Sequence, residues 1–377
     1  MRNNNFVEHI IFYELICNDK KNEKLIKILK DEIKKYLLNN SGSNLANINF
    51  YLGDLLSNYG KVSDAFNAYD EAEFIYKSKH NCRGLAQVFC SRGDLLRRIG
   101  QLEKAKEAYC EAESLFVEER FNLGLADVLY SLSELFSQTG ELEKALEAYD
   151  EAEKLFREEK FNLGLVRVLY SRGDLLRRTG ELEKALEAYD EAEKLCRQEK
   201  YTLWLANVLS SRGDLLRRTG ELEKALKAYD EAEKLYKSEQ HNLGLANVLR
   251  FRGDLLSRTG ELEKALEAYD EAEKLYKSEQ NNLGLANVLR GSGDLMSIQE
   301  DWSGAEKEYE KALPLYIQEQ DTMGASYTLA DLQLCKKIVG DDEGREKCLE
   351  ELEKLLPKQP EPVQKYVKRR IEIADSL

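Results

Sequence analysis

A repeat of 40 residues runs through the middle of the sequence and predicts an all-α fold of stacked helical hairpins. Only 4 of the 377 residues are proline, and the repeats are rich in the strong helix formers Ala, Glu, Lys, Leu and Arg. Glycine recurs at one point of the period, at Gly60, Gly100, Gly140, Gly180, Gly220, Gly260 and Gly340. Residues 173–195 and 213–235 differ only where Glu187 is replaced by Lys227. We expect eight such repeats within residues 42–360.

The repeat that begins at Asn162 shows how each hairpin is built. Asn162 and its Asn or Thr counterparts are candidate helix N-caps. Apolar residues at helical spacing predict a first helix from Leu163 to Thr179, and Gly180 is expected to end it in a left-handed conformation. A second apolar face predicts a second helix from Glu181 to Lys200. Such a hairpin cannot bury its own apolar face, so neighbouring hairpins must stack.

Both ends of the sequence depart from the repeat. The pattern predicts two helices in residues 1–41, Phe6–Cys17 and Lys21–Leu38, which would form an N-terminal cap or a degenerate repeat. Residues 361–377 follow several prolines and are expected to form a C-terminal capping helix. Atypical ends of this kind protect the exposed apolar faces of a solenoid.

The spacing of six residues resembles the tetratricopeptide repeat. That family has the pattern W-x-x-L-G-x-x-Y, then A-x-x-x-F and a small residue, and the corresponding residues here are Leu169, Gly173, Leu176, Ala185, Tyr189 and Ala192. A HEAT repeat has a similar length, but these residues favour the tetratricopeptide pattern. The longer period is similar to the extended repeats of kinesin light chains and of bacterial regulatory proteins. The resemblance implies a right-handed superhelical solenoid whose first helices line a concave groove.

Arginine stands at one place where that family usually has leucine. The residues are Arg92, Arg172, Arg212 and Arg252. Two interpretations are open. Either the stems pack while the guanidinium groups reach water, or each arginine pairs with an acidic neighbour across the interface between repeats.

Composition and motifs argue against several functional classes. With 70 acidic and 56 basic residues, the net charge of −14 repels nucleic acid and anionic membranes. Glycine-rich phosphate-binding motifs are missing from the sequence, and none of the three histidines has a metal-binding spacing, so we expect no catalytic, cofactor or metal site. Seven cysteines without a C-x-x-C pair suit a reducing compartment. The apolar stretches predict neither a signal peptide nor a membrane span, which favours a cytoplasmic protein.

The candidate partner-binding residues lie on the first helices, which would line the groove. Residues 163–179 carry a net charge of +3 and residues 181–200 a net charge of −3, so this part of the groove would be basic. One column of the repeat changes from tyrosine to arginine along the chain, and three asparagines could pair with the backbone of an extended peptide. The full set is Tyr130, Arg167, Tyr170, Arg177, Asn207, Arg217, Asn247, Arg250, Asn287 and Arg290.

Plainer interpretations of the same residues stay open. Asp174 precedes Arg177 and Arg178 by three and four residues, so ion pairs within the helix would also explain them. Drift after duplication would explain the change from tyrosine to arginine. Trp204, which replaces a recurrent glycine, is either an exposed anchor for a partner or a packing residue against the preceding second helix.

Two functions follow from this interpretation. The first is a non-enzymatic scaffold whose groove binds a protein or peptide, possibly acidic. The alternative is a regulatory receptor for a short signalling peptide, or an inhibitor of a partner enzyme. A nucleic-acid-binding repeat is opposed by the net charge, and chaperone C-termini by Asp174 and Asp254 in the column where a carboxylate clamp has asparagine. The oligomeric state is left open.

Overall fold

A computed structural model describes residues 42–377 of the chain. The predicted helices of residues 1–41 lie outside the described residues. The helices of the described part are α1 (Gly42–Asn58), α2 (Val62–Ser78), α3 (Cys82–Arg98), α4 (Leu102–Glu118), α5 (Asn122–Thr139), α6 (Leu142–Glu158), α7 (Asn162–Thr179), α8 (Leu182–Glu199), α9 (Thr202–Thr219), α10 (Leu222–Ser238), α11 (Asn242–Thr259), α12 (Leu262–Ser278), α13 (Asn282–Ile298), α14 (Trp302–Gln318), α15 (Thr322–Val339), α16 (Asp342–Leu355) and α17 (Glu361–Asp375). Across residues 42–377, none of these helices is long and apolar enough to cross a membrane.

The described part of the chain divides into two compact units, residues 42–175 and 176–377. The first unit contains the hairpins α1–α2, α3–α4 and α5–α6, with α2 packed on α3 and α4 packed on α5. The second unit stacks its hairpins from α9–α10 to α15–α16 in the same way, and α17 packs against α15. The predicted all-α fold of stacked helix-turn-helix repeats is therefore confirmed.

Small residues let the two helices of a hairpin approach closely around a buried tyrosine. Tyr229 is fully buried in α10, and a Cβ atom added to Gly213 of α9 would lie 2.6 Å from its ring. Ala225 and Ala232, one turn before and one turn after Tyr229, are fully buried as well. The same arrangement recurs through both units because the sequence repeats, and it makes the core a row of tyrosines.

The turn within each hairpin is left-handed, as the glycine period predicts. Gly220 has a φ angle of +87°, and the other six glycines of the period also have positive φ angles. The turn between hairpins is left-handed too, although non-glycine residues such as Lys200 and Gln240 occupy it. The sequence did not predict this second turn because a lysine or glutamine carries no signal for positive φ.

The predicted N-caps are wrong by one residue. Asn282 is the first residue of α13, and the residue before it, Asn281, accepts the capping hydrogen bond from the backbone amide of Gly284. Where Phe121 or Tyr201 stands at the cap, the structure has no capping bond from the side chain. The cap lies one residue earlier than predicted because the helix already begins at Asn282. The side chain of Asn282 therefore belongs to the first turn and does not cap it.

Candidate partner-binding face

The first helices carry a repeated row of half-buried polar side chains. In α11 the row consists of Asn247, Arg250, Asp254 and Ser257, whose spacing places them on one side of the helix. We call these positions and their counterparts at 40-residue intervals the first-helix face. All ten predicted partner-binding residues belong to it, and all ten are half-buried.

The asparagines of this face are held by tyrosines of the second helix in the same hairpin. The hydroxyl of Tyr276 donates to the side-chain oxygen of Asn247 over 2.6 Å, and Tyr316 donates to Asn287 over 2.9 Å. Asn207 has the same contact with Tyr236, at 2.6 Å. The oxygen of each asparagine therefore already has a partner within the chain, and the NH₂ group is left to donate.

Acidic side chains of the face are held by the other row of buried tyrosines. Asp254 accepts a hydrogen bond from Tyr269 over 2.8 Å, and Asp294 accepts one from Tyr309 over 2.7 Å. Burial raises the pKa of the Asp294 carboxyl to about 6, against the attraction of Arg290. The groove prediction from sequence counted these carboxylates as charges but did not find their tyrosine partners.

Several arginines of the second unit are paired with the carboxylates of Asp214 and Asp254. Asp214 is 8% exposed and lies 3.0 Å from Arg177, 2.5 Å from Arg217 and 3.0 Å from Arg218. Burial alone would raise the pKa of Asp214, but the three guanidinium groups hold it below its usual range. Arg250 lies 3.4 Å from Asp254. Arg217, Arg218 and Arg250 thus pair within their own helices, which is the type of contact that the plainer interpretation predicts. Arg177 pairs with an acid of the next repeat.

Aromatic rings lie beside two arginines of the face. The guanidinium of Arg250 lies 4.2 Å from the ring centre of Phe251, and that of Arg290 lies 5.6 Å from the ring centre of Tyr327. A ring face attracts a cation and fixes its position without neutralising it. These two residues therefore keep their charge on a face where they are oriented in advance.

In the first unit, the face is built around Tyr130. Its hydroxyl lies 3.1 Å from the hydroxyl of Ser171, and the guanidinium of Arg167 lies 4.4 Å from its ring centre. Arg167 also pairs with Asp127 over 3.2 Å. Tyr130, Arg167 and Asp127 thus form one cluster between α5 and α7. Tyr170 is half-buried beside Ser171 in sequence and also has partners in the structure.

The column that contains Tyr130 and Arg250 is not uniformly a surface column. Phe50 is 3% exposed and Ser210 is 7% exposed, so both are buried. At these two places the column therefore contributes to the packed interior of the repeats and not to an exposed surface. Phe50 packs near Tyr51 and Tyr69 instead.

The arginines that stand where the family usually has leucine lie outside this face, and their contacts decide between the two interpretations given above. Arg252 lies 3.1 Å from Asp230 and 3.2 Å from Glu233, both on the preceding second helix. Arg92, Arg172 and Arg212 pair with the corresponding carboxylates. The arginines thus bridge neighbouring repeats through ion pairs, which is the second of the two interpretations.

Trp204 stands at a position where glycine normally makes room for an aromatic ring. A Cβ atom added to Gly244 would lie 2.3 Å from the ring of Tyr236, eight residues earlier. Eight residues before Trp204 the chain has Cys196, which is fully buried. Cys196 thus replaces the ring, and Trp204 replaces the glycine. This exchange favours the interpretation that the half-buried Trp204 packs within the repeat and is not an exposed anchor.

Sequence reasoning missed a charged cluster at the C-terminal end. Asp331, 2% exposed, lies 2.6 Å from Arg370 and accepts a hydrogen bond from Tyr366 over 2.7 Å, and both partners belong to α17. Burial raises the pKa of Asp331, and Arg370 opposes this. Asp331 replaces a small or aromatic residue of the earlier repeats, and this charge inside an apolar helix was the available signal. Within residues 42–377, no group of His, Cys, Asp and Glu is arranged to hold a metal ion.

Stacked helical hairpins with a repeated polar face define an α-helical repeat protein of the protein-binding class. A profile of the tetratricopeptide repeat matches residues 164–238 and 240–318, and a second profile of that repeat matches residues 90–160. Together they cover more than half of the chain, which therefore belongs to the tetratricopeptide repeat family. No curated protein sequence gives a significant match.

Several solved structures share the fold. The apo form of the quorum sensor NprR from B. thuringiensis is 17% identical, with a TM-score of 0.63 over 89% of this chain and 99% of NprR. BtubC (BKLC) from P. vanneervenii is 21% identical, with a TM-score of 0.51 over 57% of this chain and 90% of BtubC. A Rap protein complexed with competence and sporulation factor is 14% identical, with a TM-score of 0.51 over 85% and 99% of the two chains. These identities establish a likeness of fold.

Proposed function

We propose that this protein is a non-enzymatic scaffold that binds a peptide or helix of a partner protein along its first-helix face. The observation that carries the proposal is the way the polar side chains of that face are fixed. Asn247 is held by Tyr276, and Arg250 is held by Asp254 and Phe251. Side chains that are oriented before binding lose little entropy when a partner arrives, which favours specific recognition.

The chemistry of the face favours a partner with acidic side chains at one end. Arg250 and Arg290 keep their charge beside aromatic rings, while the NH₂ groups of Asn247 and Asn287 can donate to a peptide backbone. An incoming carboxylate would replace Asp254 as the partner of Arg250. The free energy gained at Arg250 is therefore that of the new ion pair minus that of the pair with Asp254. Such an exchange contributes more to the specificity of binding than to its affinity.

The test uses a charge reversal on the face and a matched one elsewhere. The double variant Arg250→Glu with Arg290→Glu is expected to weaken binding of the partner by about 2 to 4 kcal/mol. Added salt should weaken binding to the unaltered protein but not to this variant. Lys224→Glu with Lys264→Glu makes the same change of charge on exposed second-helix residues and should leave affinity unchanged. Partners captured from the native cell are titrated against all three forms at two salt concentrations, with helicity checked by circular dichroism.

The alternative is a regulatory receptor for a short signalling peptide, or an inhibitor of a partner enzyme. NprR is described as a quorum sensor, and the Rap protein was solved with competence and sporulation factor. Those likenesses are of fold, and peptide binding tests the alternative directly. Peptides of fewer than about ten residues that bind the unaltered protein, and lose affinity for the Arg250 and Arg290 variant, would favour the receptor over the scaffold.

A further inference from the structure

The C-terminal ends of α7 and α9 each carry two consecutive arginines. Arg177 and Arg178 stand in the last turn of α7, and Arg217 and Arg218 occupy the same positions of α9 one repeat later. We call these four residues the arginine cluster, and all four belong to the second unit. Arg177 and Arg217 are residues of the first-helix face. The cluster is therefore a candidate site for one particular group of the proposed partner.

Three arginines of the cluster share one buried carboxylate. Asp214 is 8% exposed, and nitrogen atoms of Arg177, Arg217 and Arg218 lie between 2.5 and 3.0 Å from its two oxygens. Two oxygens cannot accept all the N–H groups that three guanidinium groups offer. The excess is visible at Arg217, whose Nε atom is buried and has no hydrogen-bond partner within residues 42–377. The cluster thus has more donors than acceptors.

The next hairpin shows how this site differs from its sister. There the hydroxyl of Tyr269 donates to Asp254 over 2.8 Å. The equivalent Tyr229 is buried near Arg217 and, among the described residues, makes no hydrogen bond of normal length and angle. Ion pairs with the arginines have taken the place of the bond between tyrosine and aspartate. A second buried donor is therefore left without a good acceptor, which is costly.

The cluster also keeps a surplus of positive charge. Its four arginines are accompanied on α7 and α9 by two acids of the same face, Asp174 and Asp214, which leaves a net charge of +2. The acids that follow in the turns do not reduce this surplus, because Glu181 and Glu221 each pair with the lysine three residues later. A doubly charged anion would neutralise the cluster.

A phosphate monoester has the charge and the oxygens that this site lacks. It carries about −1.5 to −2 charges at pH 7 and three acceptor oxygens. Guanidinium groups bind such oxygens with two parallel hydrogen bonds. A carboxylate side chain brings one charge and two oxygens, which is what Asp214 already supplies. The cluster therefore favours phosphate over a further carboxylate.

We propose that the arginine cluster binds the phosphate group of a phosphorylated serine or threonine in the partner's peptide. This rests on the proposed function and assigns one group of the partner to one part of the first-helix face. The half-exposed Arg218 would meet the phosphate together with Arg217. Asp214 would then be free to accept from Tyr229, as its counterpart does in the next hairpin. The net charge of −14 opposes nucleic acid, whose phosphates continue along a strand.

The test compares peptide sets that differ in one residue. Each set contains degenerate peptides of about 15 residues, with phosphoserine, serine or glutamate fixed at the centre. The immobilised protein is offered each set at low salt, and the retained fraction is measured. We expect the unaltered protein to retain phosphoserine peptides about 10-fold better than serine peptides, with glutamate peptides in between.

Two variants locate the phosphate preference. Arg217→Gln with Arg218→Gln removes two of the guanidinium groups around Asp214 and is expected to reduce the preference to about 2-fold or less. Arg218→Gln alone should reduce it as well, and because this side chain is half exposed the fold should survive its loss. Lys234→Gln with Lys274→Gln removes the same charge from exposed second-helix residues and should leave the preference unchanged. Circular dichroism checks the helicity of every form.

Each outcome of this test bears on the proposal. Equal retention of phosphoserine and serine peptides by the unaltered protein would overturn it, as would a preference that survives in both arginine variants. Glutamate peptides retained as well as phosphoserine peptides would overturn the choice of phosphate. A single-stranded oligonucleotide retained more strongly than the phosphoserine peptides, and released by the arginine variants, would overturn the choice of partner. If all peptide sets are retained alike and Arg250→Glu with Arg290→Glu releases them, the phosphate site is wrong and the proposed function stands.

Discussion

The side-chain oxygen of Asn247 accepts a hydrogen bond from the hydroxyl of Tyr276, with 2.6 Å between the two atoms. The residue types at these two places change together along the chain. Where phenylalanine replaces the tyrosine, at Phe116 and Phe156, the asparagine is replaced by Gln87 and Asp127. The asparagines of the first-helix face are thus part of the hairpin's own structure, and a partner would meet them already oriented.

The bond between Asn247 and Tyr276 is expected to couple the two residues energetically. Tyr276→Phe and Asn247→Ala should each destabilise the protein, and the double variant should lose less than the sum, with a coupling of about 1 kcal/mol. Urea midpoints of the three variants and the unaltered protein give this value. Strictly additive losses would mean that the bond contributes nothing in solution.

Removing a tyrosine hydroxyl should have opposite effects at two equivalent places of the repeat. The hydroxyl of Tyr269 donates to Asp254 over 2.8 Å, whereas that of Tyr229 is buried near Arg217 and, among the described residues, makes no hydrogen bond of normal length and angle. Tyr269→Phe is therefore expected to cost about 1 kcal/mol, while Tyr229→Phe should be neutral or stabilising. Thermal unfolding of the two variants decides it, and equal losses would refute the difference.

Hairpin boundaries could be predicted from the sequence because local chemistry sets them. Predicted bounds of Glu181 to Lys200 compare with Leu182–Glu199 in the structure, since glycine and apolar spacing act within a few residues. The partners of Arg177 could not be predicted in the same way. The sequence offers Asp174 as the nearest acid, and the structure adds a contact that the sequence did not suggest, between Arg177 and Asp214 of the next repeat. Such contacts depend on the distance between helices, which the sequence pattern does not contain.

Removing a glycine from one left-handed turn and introducing a glycine into the other should have opposite effects on stability. Gly220 has a φ angle of +87° and nothing lies within 4 Å of an added Cβ atom, so Gly220→Val should cost about 1 kcal/mol or more through backbone strain alone. Gln240 has a φ angle of +53° with a side chain present, and Gln240→Gly should be neutral or stabilising. Urea midpoints are compared, and a neutral Gly220→Val would contradict the assignment of strain.

Asp54 is expected to make stability depend on pH. Burial raises the pKa of its carboxyl to about 7, although the hydrogen bond from Tyr69 opposes this. The unfolded chain has a pKa of about 3.9, so folding favours the protonated form. The contribution is complete below about pH 4 and is lost as pH rises through about 7. Asp54→Asn should therefore stabilise the protein at pH 8 and much less at pH 5. Urea titrations at both pH values test this, and a constant difference would exclude Asp54 as the titrating group.

The last prediction concerns Trp204 and Cys196. The large residue and the small residue of this pair stand in the reverse order from the other repeats. Elsewhere a glycine faces a ring, as Gly244 faces Tyr236 at 2.3 Å from an added Cβ atom. Cys196→Tyr alone should place a ring where Trp204 already packs and cost about 1 to 3 kcal/mol through overpacking. Trp204→Gly alone should leave a cavity and cost about 3 to 5 kcal/mol.

Combining the two changes restores the arrangement of the sister repeats. The double variant should therefore be close to the unaltered protein in stability, with a coupling between the two sites of about 2 kcal/mol or more. Thermal and urea unfolding of the two single variants and the double variant measure this coupling. If the two losses simply add, Trp204 does not fill the space beside Cys196. In that case the tryptophan would again be a candidate anchor for a partner, because its exposed part would have no packing role to explain it.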